Sequence, residues 1–280
     1  MNGVQSETKR KWIEFTLAGS CPVSCCYCPQ SVLARSYSGC QLMSPAIFSA
    51  CLSNIPRDFE IHFSGFAEPW LNPSATSFLR LVSLEGRATR VYSTLIGMNQ
   101  IDIQALIDCQ TLTRLCVHTV DSSRLMRFKP NDEYYQNIAM LTNGFRDRPE
   151  LLRLMAIGAP DPKIIEIADR VGFKLQTSLL RQTVKRAGNL KRSKGVVRVL
   201  GSIICSRQRS LHNNVVLPNG DMVLCCCDYS LQHKLGNLCN QSYDEIYRDS
   251  ISCVLGMQAD VDSDLICRNC EWAASNERIY

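Results

Sequence analysis

The stretch Cys21-Pro22-Val23-Ser24-Cys25-Cys26-Tyr27-Cys28 places three thiols in a Cys-x3-Cys-x2-Cys spacing. It follows directly after the apolar run Trp12–Leu17, which is typical of a buried β-strand. Cysteine thiolates hold four-iron clusters, and a triplet without a local fourth ligand leaves one iron open to a small molecule. Zinc is the competing interpretation, although structural zinc sites favour two pairs of ligands. On this spacing Cys26 is a spare thiol.

The chain of 280 residues contains 16 cysteines, which is far above ordinary usage. Residues 1–10 lack the apolar core of a signal peptide, and no apolar run approaches the roughly 20 residues of a membrane-spanning helix. We therefore expect a cytoplasmic protein, in which such cysteine density indicates metal or redox chemistry rather than disulfides. The basic residues between Arg181 and Lys194 favour a solvated segment or an anchor for one anionic substrate over nucleic-acid binding.

Strand-like runs alternate with helix-compatible stretches over the first two-thirds of the chain. The predicted strands are Trp12–Leu17, Glu60–Ser64, Arg90–Ser93, Leu115–Val120, Leu151–Ala156 and Phe173–Gln176. The predicted helices are Ser44–Leu52, Ser74–Leu84, Ile101–Leu106, Asn131–Thr142 and Pro162–Val171. Such alternation predicts an α/β fold with a parallel sheet and crossover helices. We expect residues 1–180 to form this core.

Two motifs resemble the S-adenosylmethionine (SAM) radical superfamily. The first is the cysteine triplet with an aromatic residue, Tyr27, before its last cysteine, and the second is Gly65-Phe66-Ala67-Glu68-Pro69 after a predicted strand. The resemblance implies a partial (β/α)6 TIM-like barrel, in which Cys21, Cys25 and Cys28 hold a [4Fe-4S] cluster that binds SAM.

The same resemblance assigns cofactor contacts. Gly65 and Glu68 are expected at the methionine amine, although Phe66 and Ala67 replace the second glycine of the family's Gly-Gly-Glu motif. Tyr27 is expected at the adenine. Ser93 is a candidate ribose contact, and an ordinary strand-end serine is the alternative.

A second group of cysteines lies in the C-terminal quarter of the chain. Two apolar runs lie on either side of Asn219-Gly220, which predicts a β-hairpin with a type I′ turn. Cys205 lies before the first run, and Cys225 is the last residue of the second. A helix is predicted over Ser242–Arg248. The motif Cys267-Arg268-Asn269-Cys270 then supplies two more thiols. Four thiols in so small a segment indicate a closed metal site, for which zinc and a four-iron cluster are equally suitable.

This C-terminal segment resembles the shortened (twitch) form of the auxiliary iron–sulfur SPASM domain of radical SAM enzymes. The resemblance implies one auxiliary [4Fe-4S] cluster with zinc as the alternative, and its ligands are Cys205, Cys225, Cys267 and Cys270. Cys226 and Cys227 are rivals to Cys225 because the three are consecutive. The chain then divides into a barrel (1–180), a basic bridge (181–204) and an auxiliary domain (205–280).

The aminocyclitol dehydrogenases of the superfamily share this arrangement of core and auxiliary domain. They imply a 5′-deoxyadenosyl radical that abstracts a hydrogen atom from a carbinol of a sugar or aminocyclitol-like natural-product intermediate. The auxiliary cluster accepts the remaining electron, and a reducing electron donor such as flavodoxin or ferredoxin is an expected partner. By the same resemblance Arg186 contacts the substrate.

Six further candidate residues follow from the sequence itself. Asp228 is either a base for the carbinol proton or a turn-forming residue. His118, in a predicted strand, is a substrate contact or a core histidine. A radical epimerase of a sugar or peptide residue would need a thiol as hydrogen donor, for which Cys239 and Cys253 are candidates, as are Cys226 and Cys227. A free cysteine is nevertheless commonly a small buried hydrophobe.

Two further functions remain open. A peptide-modifying enzyme is one of them, although fewer than a dozen residues precede the first predicted strand, which leaves no room for a leader-binding domain. A non-enzymatic iron–sulfur carrier is the other. It needs no Gly-x-x-Glu turn, so Glu68 argues against it.

Overall fold

The computed structural model describes residues 11–178, 185–190, 198–207 and 211–276. Its first part alternates strands with helices, as the sequence predicts. The strands are β1 (Trp12–Phe15), β2 (Glu60–Phe63), β3 (Thr89–Ser93), β4 (Leu112–His118), β5 (Leu152–Ile157) and β6 (Gln176–Ser178). The helices are α1 (Gln30–Ser36), α2 (Pro45–Ser53), α3 (Ala75–Leu84), α4 (Gln100–Asp108), α5 (Asp132–Gly144) and α6 (Pro162–Asp169). Neighbouring strands from β1 to β6 pair in parallel, which confirms the predicted partial barrel of α/β class.

Polar residues at the helix starts explain where several crossover helices begin. Ser44 and Asn131 each accept a hydrogen bond from a backbone N–H of the first turn of α2 and α5. Asn99 and Asp102 form a reciprocal capping box at the start of α4. Each cap satisfies amide groups that the helix itself leaves without partners.

The C-terminal part extends the same sheet. Its elements are β7 (Ile203–Cys205), β8 (Asn213–Val216), β9 (Asp221–Val223), β10 (Lys234–Asn237), α7 (Tyr243–Ala259) and β11 (Ala273–Ser275). Strand β8 pairs in parallel with β1, and β9 and β10 continue from it in antiparallel fashion. Strands β7 and β11 form a separate two-stranded sheet. The cysteine-bearing hairpin is therefore joined to the barrel edge by backbone hydrogen bonds.

Three elements differ from the sequence prediction. The hairpin turn is not of type I′, because only Gly220 has a positive φ. Pro218 has its φ fixed near −65° and suits a type I turn that Gly220 closes. The last barrel strand is Gln176–Ser178 rather than Phe173–Gln176, since the amide of Phe173 closes the end of α6. Helix α7 extends to Ala259, well past the predicted end.

The two faces of the barrel sheet have opposite character. Alternate side chains such as Ile13, Phe63 and Val91 are buried against the helices and form the main hydrophobic core. The intervening residues on the inner face are polar, and they include Glu14 and His62. Side chains alternate along a strand, so the sheet presents an apolar outer face and a polar interior, with the loops after β1 and β2 at one edge.

The division into three domains remains a prediction. Of the basic bridge, residues 185–190 and 198–204 are described, whereas Arg181, Lys191, Arg192 and Lys194 lie outside the described residues. Within the described ranges, no helix combines the length and the apolar character needed to cross a membrane.

Candidate functional site

The cysteine triplet lies in the loop that follows β1, at the carboxyl edge of the sheet. Cys21, Cys25 and Cys28 all line one cavity of about 150 Å³, together with Tyr27. The amide of Cys28 donates to the carbonyl of Cys25 at 3.1 Å, which closes a turn within the loop. Burial raises the pKa of Cys21, and it raises the pKa of Cys25 to about 12. Both thiols therefore stay protonated until a metal displaces the proton.

The loop after β2 reaches the same cavity and contains a glycine whose replacement would be strained. Gly65 has a φ of +76°, and a Cβ at this position would stand 2.1 Å from Oγ1 of Thr16. That same Oγ1 accepts a hydrogen bond from the amide of Phe66 at 3.1 Å. The carboxylate of Glu14 accepts from the hydroxyl of Ser64 at 2.8 Å. Hydrogen bonds to the side chains of Glu14 and Thr16 therefore hold the loop against the end of β1.

We expect Gly65→Ala to lower the free energy of unfolding by about 2–4 kcal/mol, because it adds a steric clash to an unfavourable φ. Gly86→Ala is the matched control: Gly86 has a similar φ of +69°, but nothing lies within 4 Å of its Cβ position. This control is expected to cost only about 1 kcal/mol. Denaturant unfolding of both variants measures the difference, and equal costs would refute the close packing of Gly65 on Thr16.

Glu68 links the loop after β2 to the end of β3 by hydrogen bonds. Its buried carboxylate accepts hydrogen bonds from the hydroxyl of Ser93 at 2.7 Å and from the amide and hydroxyl of Thr94 at 2.6 and 2.7 Å. Burial raises the pKa of Glu68 despite these bonds. The hydroxyl of Ser93 also accepts from the amide of Leu95. Glu68 and Ser93 both line the cavity, and their side chains bond to one another.

Tyr229 lies on the far side of the cavity, and nothing in the sequence singles it out. Its hydroxyl is 3.5 Å from the sulfur of Cys28. The ring packs at a steep angle on Phe66, with 4.7 Å between centroids. The guanidinium of Arg186 lies 5.8 Å from the same ring. Because Tyr229 follows the three consecutive cysteines closely, it joins the cysteine triplet to the C-terminal part of the chain.

The inner wall of the cavity is basic but holds a neutral histidine. His118, at the end of β4, lines the cavity with Arg186. Burial and the charges of Arg186 and Arg153 lower the pKa of His118 to about 4. Burial alone would lower the pKa of Arg186, but Tyr229 and the nearby cysteines raise it. At neutral pH the imidazole is uncharged and the guanidinium carries its charge.

Three sequence-predicted catalytic residues are not among the cavity's lining residues. Asp228 is fully buried, and its carboxylate accepts from the amides of Gln232 and His233 at 3.0 and 2.8 Å. It therefore holds a turn. Cys239 lies with its sulfur 3.9 Å from that of Cys51, beside helix α2. Cys253 is exposed on α7.

A second, smaller cavity of about 40 Å³ brings together the C-terminal cysteines. The thiols that line it belong to Cys205, Cys225, Cys226, Cys227, Cys267 and Cys270. Neighbouring cysteines and burial raise the pKa of Cys225, whereas burial is the first cause for Cys267, whose pKa rises to about 12. Cys226 also packs with Tyr229 and Cys28 in a cluster next to the first cavity. Cys225 and Cys227 both remain candidates as ligands.

Hydrogen bonds from Arg268 hold the turn that carries Cys267 and Cys270 in place. The side chain is fully buried, and its guanidinium donates to backbone carbonyls and to one hydroxyl. The acceptors are the carbonyls of Val199, Gly201, Met257, Gln258 and Asp260, and Oγ of Ser263. Arg268 stands between Cys267 and Cys270, so its bonds fix this turn against α7 and the segment that leads to β7.

The cysteine spacing suits clusters better than single ions. Among the described residues, no three His, Cys, Asp or Glu side chains are grouped closely enough to hold one metal ion. Ligands of a single zinc ion lie about 2.3 Å from the metal and hence within about 4 Å of one another. Thiolates of a four-iron cluster bind different irons and stand further apart. Thiols that surround a cavity in this way fit a cluster.

Comparisons with known proteins agree with this geometry. Residues 205–271 match the SPASM family, described as an iron–sulfur cluster-binding domain. The chain superimposes on BtrN in complex with AdoMet and 2-DOIA with a TM-score of 0.61 and 18% identity, covering 93% of this chain and 92% of that one. It superimposes on SuiB of Streptococcus suis bound to precursor peptide SuiA with a TM-score of 0.61 and 11% identity, covering 92% and 69%.

A third similar structure is anSMEcpe with bound AdoMet, at a TM-score of 0.55 and 11% identity, which covers 93% of this chain and 83% of that one. The search of curated proteins gives no match. Two of these similar structures, BtrN and anSMEcpe, contain AdoMet. Residues 205–271 of this chain match the SPASM iron–sulfur cluster-binding domain, and the chain shares its overall fold with these solved structures.

Proposed function

We propose that this protein is a radical SAM dehydrogenase that oxidises a carbinol of a sugar-like intermediate to a ketone. The observation that carries the proposal is the placement of Tyr229, which contacts Cys28 at one cavity and shares a cluster with Cys226 at the edge of the other. Two cysteine groups that meet at one residue suit a reaction in which a radical forms at one site and an electron leaves through the other.

In this proposal Cys21, Cys25 and Cys28 hold the first cluster. SAM and that cluster, when reduced, supply a 5′-deoxyadenosyl radical that takes a hydrogen atom from the substrate carbon. The backbone of the Gly65–Glu68 loop and Tyr27 line the space for SAM. Glu68 acts by holding Ser93 and Thr94 in place, because its carboxylate is already occupied by them.

The remaining change is the loss of one electron and of the hydroxyl proton. Cys205, Cys267 and Cys270, with Cys225 or Cys227, would hold the auxiliary cluster, which would supply an acceptor for the electron. His118 is the residue best placed to bind the hydroxyl, because a neutral imidazole has a nitrogen free to accept a hydrogen bond. Asp228 is unsuited to this task, since both of its oxygens already accept backbone amides. A small reducing protein such as flavodoxin or ferredoxin supplies the electron for each turnover.

The alternative is a radical epimerase in which a thiol returns the hydrogen atom. Cys226 supports this alternative, because it packs against the same hydrophobic cluster as Cys28, and this cluster contains Tyr229. Cys239 and Cys253 are placed less favourably, one against Cys51 and the other exposed on α7. SuiB and anSMEcpe are solved with peptides, so a peptide substrate is a further possibility for either reaction.

Turnover in deuterated water distinguishes the two reactions. The reduced enzyme is incubated with SAM and a panel of sugar substrates, and products are analysed by mass spectrometry. Oxidation yields a ketone and 5′-deoxyadenosine in equal amounts, with no deuterium at the reacting carbon. Epimerisation yields a product of unchanged oxidation state with one deuterium, which Cys226→Ala abolishes. The second result would replace the dehydrogenase by the epimerase.

A further inference from the structure

Some arginines on the inner face of the barrel form an ion pair with a carboxylate, and others do not. Arg90, on β3, lies 3.5 Å from the carboxylate of Glu60 and is therefore part of an ion pair. Arg153, on β5, lies opposite Cys116 in the strand register. Among the described residues, no carboxylate forms a salt bridge with Arg153 or with Arg186.

Arg186 lines the cavity with His118, and Arg153 lies on β5 two residues before Met155, which pairs with His118 in the strand register. The side chains of Arg153 and His118 therefore lie on the same face of the sheet, and the charges of both arginines lower the pKa of His118. The Nε of Arg153 is buried and has no hydrogen-bond partner. A buried N–H group without a hydrogen-bond partner is costly. The region around His118 is thus a positive, hydrogen-bonding surface that is suited to binding an anion.

The carboxylates near this region are hydrogen-bonded to groups other than these two arginines. Glu14 accepts hydrogen bonds from the hydroxyl of Ser64 and the amide of Gly65. Glu68 is occupied by Ser93 and Thr94, and burial raises its pKa. Both acids are therefore hydrogen-bonded to the loops that form the cavity, and among the described residues neither forms a salt bridge with Arg153 or Arg186.

We propose that the substrate carries an anionic group, a carboxylate or a phosphate, which Arg153 and Arg186 bind together beside His118. This proposal rests on the function proposed above, and it narrows the substrate to a sugar acid or a sugar phosphate. It also disfavours an amino sugar, because an ammonium group would be repelled by two guanidinium charges. Arginine is suited to this role because its planar fork of donors matches carboxylate and phosphate oxygens.

The test is calorimetric titration of the reconstituted, SAM-loaded enzyme with three matched probes: glucose 6-phosphate, glucose and glucosamine. We expect glucose 6-phosphate to bind at least about tenfold more tightly than glucose, and glucosamine not to bind. Arg153→Met and Arg186→Met should each weaken binding of glucose 6-phosphate by about tenfold or more, and the lysine variants at these positions should recover part of it. Arg170→Met is the control, since Arg170 directly follows α6, is exposed, forms an ion pair with Glu166 and is not among the residues that line the cavity.

Two results would overturn the proposal. One is a wild-type enzyme that binds glucose 6-phosphate no more tightly than glucose, and the other is tight binding that neither arginine variant weakens. Release of 5′-deoxyadenosine, measured in the same preparations without any sugar, keeps the two proposals apart. Charge-dependent binding without SAM cleavage would refute the radical function alone, whereas SAM cleavage without charge-dependent binding would refute the anion site alone.

Discussion

Replacing Cys21, Cys25 and Cys28 together by alanine is expected to reduce release of 5′-deoxyadenosine by on the order of a thousandfold or more. These three thiols line the first cavity and are the proposed ligands of the cluster that binds SAM. Without them no iron is held where SAM can be reduced, and the chemistry resides in the cofactor rather than in the side chains. Anaerobic incubation with dithionite and SAM, followed by chromatography, measures the product.

Cys26→Ala is the matched control for this prediction. Cys26 belongs to the same loop, but its amide bonds to the carbonyl of Leu125 and its sulfur is not a lining group of the cavity. The control should therefore retain near wild-type release. Equal losses in the triple variant and in Cys26→Ala would mean that the loop tolerates no substitution, and retained cleavage in the triple variant would contradict the assignment of the first site.

Arg268→Met is expected to lower the stability of the C-terminal part by more than about 4 kcal/mol. The substitution keeps an apolar stem of similar length but removes the guanidinium that donates to five carbonyl groups, of which that of Gln258 is buried and the other four are partly buried. Each buried polar group without a partner costs about 1–3 kcal/mol. The turn that carries Cys267 and Cys270 is then no longer fixed, so we expect loss of about four irons. Urea unfolding and iron analysis measure the two effects.

The control for this second prediction is again Arg170→Met. Arg170 makes one exposed ion pair with Glu166, and such pairs contribute about 0–1 kcal/mol. We expect no change in iron content and little change in stability for this variant. If Arg268→Met behaved in the same way, the buried guanidinium would not be what holds the second cysteine group together.

Local patterns predicted most of the fold. The alternation of apolar runs placed five of the six parallel strands correctly, because each is buried on its outer face by Ile13, Phe63, Val91 and similar residues. The prediction of the sixth strand began too early, at Phe173. An apolar residue that packs at the end of a helix has the same local pattern as one in a strand. No local pattern shows that β8 pairs with β1, because pairing between strands some two hundred residues apart depends on the whole fold.

Some residues of the candidate site could likewise be predicted from local sequence patterns, and others could not. Spacing identified the cysteines and the Gly65–Glu68 loop, since metal ligands and tight turns require particular residue types at fixed distances. Tyr229, Arg153 and Arg268 carry no such signal, because a tyrosine or an arginine is ordinary at most positions. Their importance appears only when the fold places them beside a sulfur, a histidine or a set of carbonyl groups. Asp228 is the opposite case, because its position near cysteines suggested a catalytic base. Its carboxylate instead accepts a backbone amide within a turn.

Iron and sulfide content, measured anaerobically on the reconstituted protein, tests the central claim most directly. The account predicts about eight irons per chain in the wild type. It predicts about four in the variant lacking Cys21, Cys25 and Cys28, and about four in a variant with both Cys267 and Cys270 replaced by alanine. About four irons with one zinc in the wild type would contradict the auxiliary cluster and its role as electron acceptor. An iron content that the triple substitution leaves unchanged would contradict the first cluster and the proposed chemistry with it.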